Sequence, residues 1–309
     1  MSPNNCLVVL GPTASGKTKM AASLALKLDA EIISADSRQV YRQLNIGTGK
    51  DLNEYHFDEK IVPVHLIDLA NPEEQFYLHD FIVALQRAFT DIRARTKIPI
   101  ICGGTGLYLD ALEKNFELTQ IPENEILRRE LATLSSTELN ERLSAYPTEL
   151  TYQVDLHSTK RLIRGIEIAE HLCQHGLRPK KFVSPYSPFY IGITNDRVTR
   201  RAKIEARLQQ RFSEGLIEEV EQLLAGGLSN ERLQRLGLEY KFLALYLSGK
   251  ITRTELEQQL VTAIQQFAKR QMTWFRKMER SGIKIHWVHS ECETEQLIAL
   301  IKNESSLLG

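Results

Sequence analysis

The sequence predicts an α/β fold, a doubly wound parallel sheet carrying a helical insertion, and three observations point to it. Short apolar runs without alternation, Cys6–Leu10, Glu31–Ser34, Val62–Ile67 and Ile98–Cys102, suit strands buried on both faces. Helical periodicity separates them over Lys17–Leu28, Leu78–Thr96 and Thr105–Leu112. Strand signals then vanish over Phe116–Pro188, where helices are expected at Glu125–Leu134, Thr137–Ala145 and Ser158–Cys173. A further strand, Phe189–Thr194, resumes the core. Helices follow at Arg197–Leu224, Leu238–Leu247 and Thr252–Arg280, then a strand at Lys284–Val288 and a last helix at Glu293–Lys302. The expected organisation is a core of residues 1–115 and 189–309 around an insertion of residues 116–188.

Composition excludes several classes. With 309 residues, 42% hydrophobic and 25% charged, the chain has the make-up of a globular protein with a sizeable core. No apolar run approaches the roughly 20 residues that span a bilayer, and no basic-then-apolar leader precedes the first strand, so a cytoplasmic protein without membrane contact is expected. Cys6, Cys102, Cys173 and Cys292 are far apart and form no zinc or disulfide framework. Net charge is zero, yet bases gather at Lys160–Arg164, Arg178–Lys181, Arg197–Arg211 and Lys269–Arg280, a distribution compatible with a polyanion on one face or with solvated helices; the second of these runs lies outside the residues described below.

The run Gly11-Pro12-Thr13-Ala14-Ser15-Gly16-Lys17-Thr18 lies between the first strand and first helix, which is the context a phosphate-binding P-loop requires. Gly11 and Gly16 let successive amides point inward, the helix start adds its dipole, Lys17 adds a point charge, and the Thr18 hydroxyl can ligate Mg2+. In a parallel sheet the ligand lies at the carboxyl ends of the strands. Asp36 follows the second strand, as a metal ligand, a general base or a plain turn aspartate. Gly103-Gly104-Thr105 follows the fourth, with Thr105 as helix N-cap, ligand contact or both. Arg207 and Arg211 lie one helical turn apart, able either to clamp a diphosphate or to pair with acids. Ala268–Arg276 mixes bases with Trp274 and Phe275, for RNA contact or for inward packing of the aromatics.

Taken together, Gly11–Thr18, Ser34–Tyr41, Ile46–Lys50, His65–Asp68, Gly103–Leu109, Lys160–Arg164, Arg207–Phe212 and Ala268–Arg276 resemble, in order and over nearly the whole chain, the tRNA dimethylallyltransferases. The resemblance implies transfer of a dimethylallyl group from dimethylallyl diphosphate to the exocyclic amine of the adenosine 3′ of the tRNA anticodon. It implies Asp36, Thr13 and Arg207 as catalytic residues, with Asp36 taking the amine proton. Diphosphate would be held by Gly11, Thr13, Ala14, Ser15, Gly16, Lys17, Thr18 and Arg207, with Mg2+ on Thr18. The tRNA anticodon stem-loop would meet Asp36, Ser37, Arg38, Gln39, Thr105, Arg128, Lys160, Arg161, Leu162, Ile163 and Arg164. A monomer is expected.

One departure bears on the RNA path. Family members usually read Arg-x-x-Gly-Tyr-Arg or Arg-x-x-Gly-Tyr-Lys before the helix at Leu238. Here the segment is Gln234-Arg235-Leu236-Gly237-Leu238-Glu239-Tyr240-Lys241, with the arginine displaced and an acid in place of a base. The residues alone also admit a small-molecule P-loop kinase, a prenyltransferase of free adenine nucleotides, and a nucleotide-dependent RNA-binding switch.

Overall fold

A computed structural model describes residues 4–114, 116–151, 154–176 and 183–308. In chain order the first elements are β1 (Cys6–Leu10), α1 (Lys17–Leu28), β2 (Glu31–Ala35), β3 (His56–Phe57), β4 (Lys60–Ile61), β5 (Val64–His65), α2 (Leu78–Ala94), β6 (Pro99–Gly103) and α3 (Gly106–Asp110). Four helices follow: α4 (Glu125–Leu131), α5 (Ser136–Ser144), α6 (Thr148–Thr151) and α7 (Thr159–Gln174). The remainder is β7 (Pro188–Thr194), α8 (Arg197–Ser213), α9 (Leu216–Ala225), α10 (Asn230–Leu236), α11 (Leu238–Leu247), α12 (Arg253–Arg280), β8 (Ile285–His289) and α13 (Thr294–Glu304). Two compact units result, Met1–Glu113 with Pro185–Gly309, and Lys114–Ser184. Among the described residues no helix is long and apolar enough to cross a membrane.

The first unit is built on a parallel sheet of order β5-β2-β6-β1-β7-β8. Every residue of β1, β2 and β6 is buried, as expected of strands covered on both faces. Leu7, Val9, Ile32, Ile100, Ile191 and Ile193 share one cluster with Leu24 of α1 and Leu297 of α13. A second core lies among the helices, where Leu208, Val220, Leu236, Leu243, Leu260 and Ile264 of α8 to α12 pack together with Val40 and Leu44. The doubly wound α/β sheet read from the sequence is therefore present.

The departures have local causes. The strand expected over Val62–Ile67 is only Val64–His65, because Leu66 and Asp68 take left-handed φ of 65° and 55°, a backbone that cannot continue a strand. The helix expected over Arg197–Leu224 is two, since Gly215 takes φ of 98° between α8 and α9. The short hairpin β3–β4, the 3-10 turn Leu52–Tyr55 and helices α6 and α10 carry too few residues for periodicity to show.

The second unit is helical, with Leu127, Leu131, Leu139, Leu143, Leu162 and Ile166 as a shared core of α4, α5 and α7. Ser135 and Glu138 form a reciprocal cap on α5. Three of the residues expected to meet RNA, Leu162, Arg128 and Arg164, have partners inside this unit. Leu162 is 0% exposed and belongs to that core, so its side chain is not presented to a ligand. Arg128 and Arg164 both turn to Glu167, which is 3% exposed. Arg128 donates from Nε at 3.0 Å and Nη2 at 2.9 Å, Arg164 from Nη1 at 2.5 Å, and the Asn124 amide at 2.5 Å. Arg128 also pairs with Glu123, and Arg164 with the Ile121 carbonyl. A buried carboxylate needs such partners, and it claims both guanidiniums. Ile163 packs partly buried against the same core, whereas Lys160 and Arg161 are exposed, with Arg161 paired to Asp155 at 2.6 Å.

Burial alone would raise the Glu167 carboxyl, but the hydrogen bonds from Arg128 and Arg164 outweigh it and hold the group below the usual carboxylate range. Its contribution to stability is thus complete above the unfolded-state pKa and is lost as pH falls through the lowered folded-state pKa. Glu167→Gln is expected to cost about 2–4 kcal/mol at neutral pH, read by chemical or thermal unfolding of the full chain. The gap between variant and wild type should close in acid; a gap independent of pH would contradict this account.

Candidate functional site

The phosphate loop owes its shape to positions where side chains do not fit. A Cβ on Gly11 would lie 2.6 Å from both the Ile193 carbonyl oxygen and Ser15 Oγ. Ala14 and Gly16 take left-handed φ of 59° and 83°, and the Ser15 amide donates to the Pro12 carbonyl at 3.3 Å. No side chain caps the start of α1, so its first amides and dipole end are left for an anion. Ser15 Oγ, packed against Gly11, is buried and among the described residues has no hydrogen-bond partner.

Thr13, Lys17 and Thr18 of this loop line a cavity of about 530 Å³. Asp36, Ser37, Arg38 and Gln39 after β2, Thr105 after β6, and Arg207 on α8 line the same cavity. Gly11 and Ser15 are buried within the loop behind it, and the Ala14 carbonyl accepts from Asn195 Nδ2 at 3.3 Å. Desolvation pushes the Lys17 ammonium below its ordinary value, and the nearby Arg207 charge adds to this while Asp36 opposes it.

Asp36 makes the turn contact that was one of its expected roles. Its Oδ1 accepts the Arg38 amide at 2.8 Å, an Asx turn. Among the described residues no partner holds Oδ2, and the carboxylate faces the cavity. Thr105 stands at the N-cap of α3 without capping it; its Oγ1 instead accepts the Ser37 amide at 3.1 Å. That bond ties the turn after β6 to the loop carrying Asp36.

The paired arginines are not equivalent. Arg207, with 34% of its side chain exposed, is ion-paired to Asp51. Arg211 is buried and donates to Glu239 at 3.1 Å. Burial pushes the Glu239 carboxyl up and the Arg211 guanidinium down, and their mutual attraction opposes both shifts. Arg211 therefore belongs to the cavity wall rather than to a two-arginine clamp. Both guanidiniums lie against Gly49, whose φ is 63° and whose Cβ would meet the Arg207 Nη2 at 2.7 Å.

Behind the cavity wall, buried and half-buried polar groups hold the loops in place. Glu219 accepts the amides of Asn45, Ile46 and Gly47 at 2.8, 2.7 and 3.0 Å and the Tyr240 hydroxyl at 2.8 Å. It reaches them because Gly215 redirects α9. Lys50, fully enclosed, donates to the Tyr41 carbonyl, Asn45 Oδ1 and Asp68 Oδ1. On α12, Phe275 is buried, Trp274 covers Gly106, and Lys269 and Arg276 are exposed, so the aromatics pack inward. Ile264, Phe267, Gln271 and Trp274 recur at helical spacing and form the α12 face of the cavity.

A model of the family described as IPP transferase matches residues 39–278, and one described as isopentenyl transferase matches residues 4–61. The chain belongs to the IPP transferase family. A tRNA dimethylallyltransferase 2 of Bacteroides fragilis is 45% identical over 98% of this chain and 99% of that one. A tRNA dimethylallyltransferase 1 of Parabacteroides distasonis is 46% identical over 97% of each. The crystal structure of the tRNA isopentenylpyrophosphate transferase of Bacillus halodurans matches with a TM-score of 0.68 at 33% identity, over 97% of this chain and 95% of that one. A eukaryotic dimethylallyltransferase acting on tRNA shares the fold, with a TM-score of 0.78 at 21% identity over 97% and 79% of the two chains.

The departure of Gln234–Lys241 from the usual pattern of IPP transferases now has a physical reading. This segment lines the cavity. Arg38 donates to the Arg235 carbonyl at 3.1 Å, Glu239 neutralises Arg211, and Tyr240 joins Glu219 in supporting the loop at Gly47. A Cβ on Gly47 would lie 2.6 Å from Tyr240 Cζ and Oη. Gly47→Ala is therefore expected to displace the loop or the tyrosine and to cost about 1–3 kcal/mol in denaturant unfolding. Unchanged stability would show that this wall is not close-packed.

Proposed function

We propose that this IPP transferase moves a dimethylallyl group from dimethylallyl diphosphate to the exocyclic amine of the adenosine 3′ of a tRNA anticodon, releasing diphosphate. The observation that carries the reading is a single cavity in which an uncapped phosphate loop and the free oxygen of Asp36 face a common space. The names of the relatives, which are tRNA dimethylallyltransferases, support it.

The reaction breaks the bond between the allylic carbon and the diphosphate oxygen and forms one between that carbon and the amine nitrogen. The α1 amides, Thr13 and Lys17 receive the departing anion and stabilise its developing charge. Arg207 lies beside them and would bind a diphosphate oxygen in exchange for Asp51. As the carbon–nitrogen bond forms, the amine proton passes to Asp36 Oδ2, while the Arg38 amide keeps Oδ1 oriented. On α12, Ile264, Phe267 and Trp274, which line the cavity together with Arg270 and Gln271, offer the prenyl group and the purine apolar surface. The target base must leave its stack to enter.

The donor this chain would offer Mg2+ is a single hydroxyl, with the remaining ligands coming from diphosphate and water. The Thr18 hydroxyl lines the cavity beside the anion cradle, and among the described residues no cluster of three or more His, Cys, Asp or Glu side chains could hold a metal without a ligand's help. Thr18 and diphosphate oxygens would hold the ion, which when bound neutralises charge on the leaving group. Among the described residues of the helical unit, Lys160 and Arg161 are exposed bases that RNA phosphates could meet.

Label from dimethylallyl diphosphate should enter tRNA but not free AMP; phosphoryl transfer from ATP without prenylation would instead make the protein a kinase. Asp36→Asn keeps an acceptor for the Arg38 amide and loses the base, so turnover should fall about 10²–10⁴-fold with RNA affinity retained. Near-normal turnover would remove Asp36 from that role. Arg161→Ala should weaken tRNA binding, reduce its salt dependence and leave the affinity for dimethylallyl diphosphate unchanged. An equal loss for both ligands would overturn that division of labour.

A further inference from the structure

Gln271 lies midway along α12, 8% exposed, on the wall of the cavity. Its Oε1 accepts the Thr13 amide of the phosphate loop at 2.8 Å. Its Nε2 donates to the carbonyl of Gly104, in the turn after β6, at 2.9 Å. A Cβ on Gly104 would lie 2.3 Å from that Nε2 and 3.1 Å from the Gly11 carbonyl oxygen, so the amide is wedged between two backbones with no room for slack. One residue beyond Gly104, the Thr105 hydroxyl holds the Ser37 amide, next to Asp36. A continuous path of short hydrogen bonds thus runs from the diphosphate cradle, through one side-chain amide, to the loop presenting the proposed proton acceptor.

We infer that Gln271 is a positioning residue that couples diphosphate binding to RNA binding, an inference that rests on the transferase reading. The Thr13 amide is a donor and the Gly104 carbonyl an acceptor, and the Gln271 side chain, with one acceptor and one donor end, satisfies both at once. When an anion draws the phosphate loop inward, the Thr13 amide moves and the amide plane of Gln271 moves with it. The Gly104 carbonyl, and through Thr105 the loop at Asp36 and Ser37, must follow. Coupling through a shared packed element of this kind is reciprocal.

The test measures dissociation constants for inorganic pyrophosphate by calorimetry, with and without an unmodified anticodon stem-loop RNA, in wild type and in Gln271→Met. Methionine keeps the volume and removes both polar ends. In wild type the RNA should tighten pyrophosphate binding by about 5-fold or more, and in the variant the ratio should fall to near one. RNA that binds wild type without changing pyrophosphate affinity, or a variant that keeps the full ratio, overturns the inference alone. RNA that does not bind wild type at all overturns the transferase reading and the inference with it. Hydrogen exchange needs no variant: RNA should slow exchange across residues 11–18 of the wild type, and unchanged exchange there would count against the coupling.

Discussion

The cavity depends on three parallel strands ending at one level. Leu10 of β1 and Ala35 of β2 are both in register with Gly103 of β6. The phosphate loop, the Asp36 loop and the Gly103–Thr105 turn therefore leave the sheet side by side. The register requires glycine at position 103, where a Cβ would come within 2.2 Å of the Ala35 carbonyl oxygen. Parallel pairing enforces the arrangement, because all strand ends of one polarity lie on one edge. An anion site and a carboxylate are thereby brought together without either segment containing information about the other.

Helices α8 to α12 turn that edge into an enclosed site. They bring cations, Arg207 and Arg211, and the wall then supplies Asp51 and Glu239 as their partners. The two pairs differ in burial, and the difference separates their work. The Arg211 pair is enclosed and holds the wall around Gly47 and Gly49, whereas Arg207, paired to Asp51, keeps a third of its side chain open to the cavity. Glu219 binds a row of backbone amides that would otherwise be an anion nest facing the interior. At the phosphate loop, by contrast, no side chain among the described residues caps the first amides of α1.

In the helical unit, bases adjacent in sequence take up different surroundings. Lys160-Arg161-Leu162-Ile163-Arg164 looks like a cationic patch, but helical geometry sends its members in different directions. Leu162 enters the core, Arg164 joins Arg128 around the buried Glu167, and Lys160 and Arg161 remain on the surface. The carboxylate that reorganises this patch lies three residues beyond Arg164, on the same face.

By itself the sequence determined the parallel sheet, the phosphate loop and the helices with strong periodicity, because these are encoded by neighbours in the chain. Cys6–Leu10 and Lys17–Leu28 were legible to the residue, as was the placing of Asp36 and Thr105 at strand ends. The break at Gly215 was not, since a glycine inside a periodic run is helical or left-handed according to what the following helix must reach. Only the tertiary structure decided that Gln271 bridges Thr13 to Gly104, that Glu239 belongs to Arg211, and that Glu219 supports the loop at Gly47. Each of those contacts joins residues far apart in the chain. A side-chain amide or carboxylate acquires its role from the backbone groups that packing leaves beside it, and no local pattern records which groups those will be.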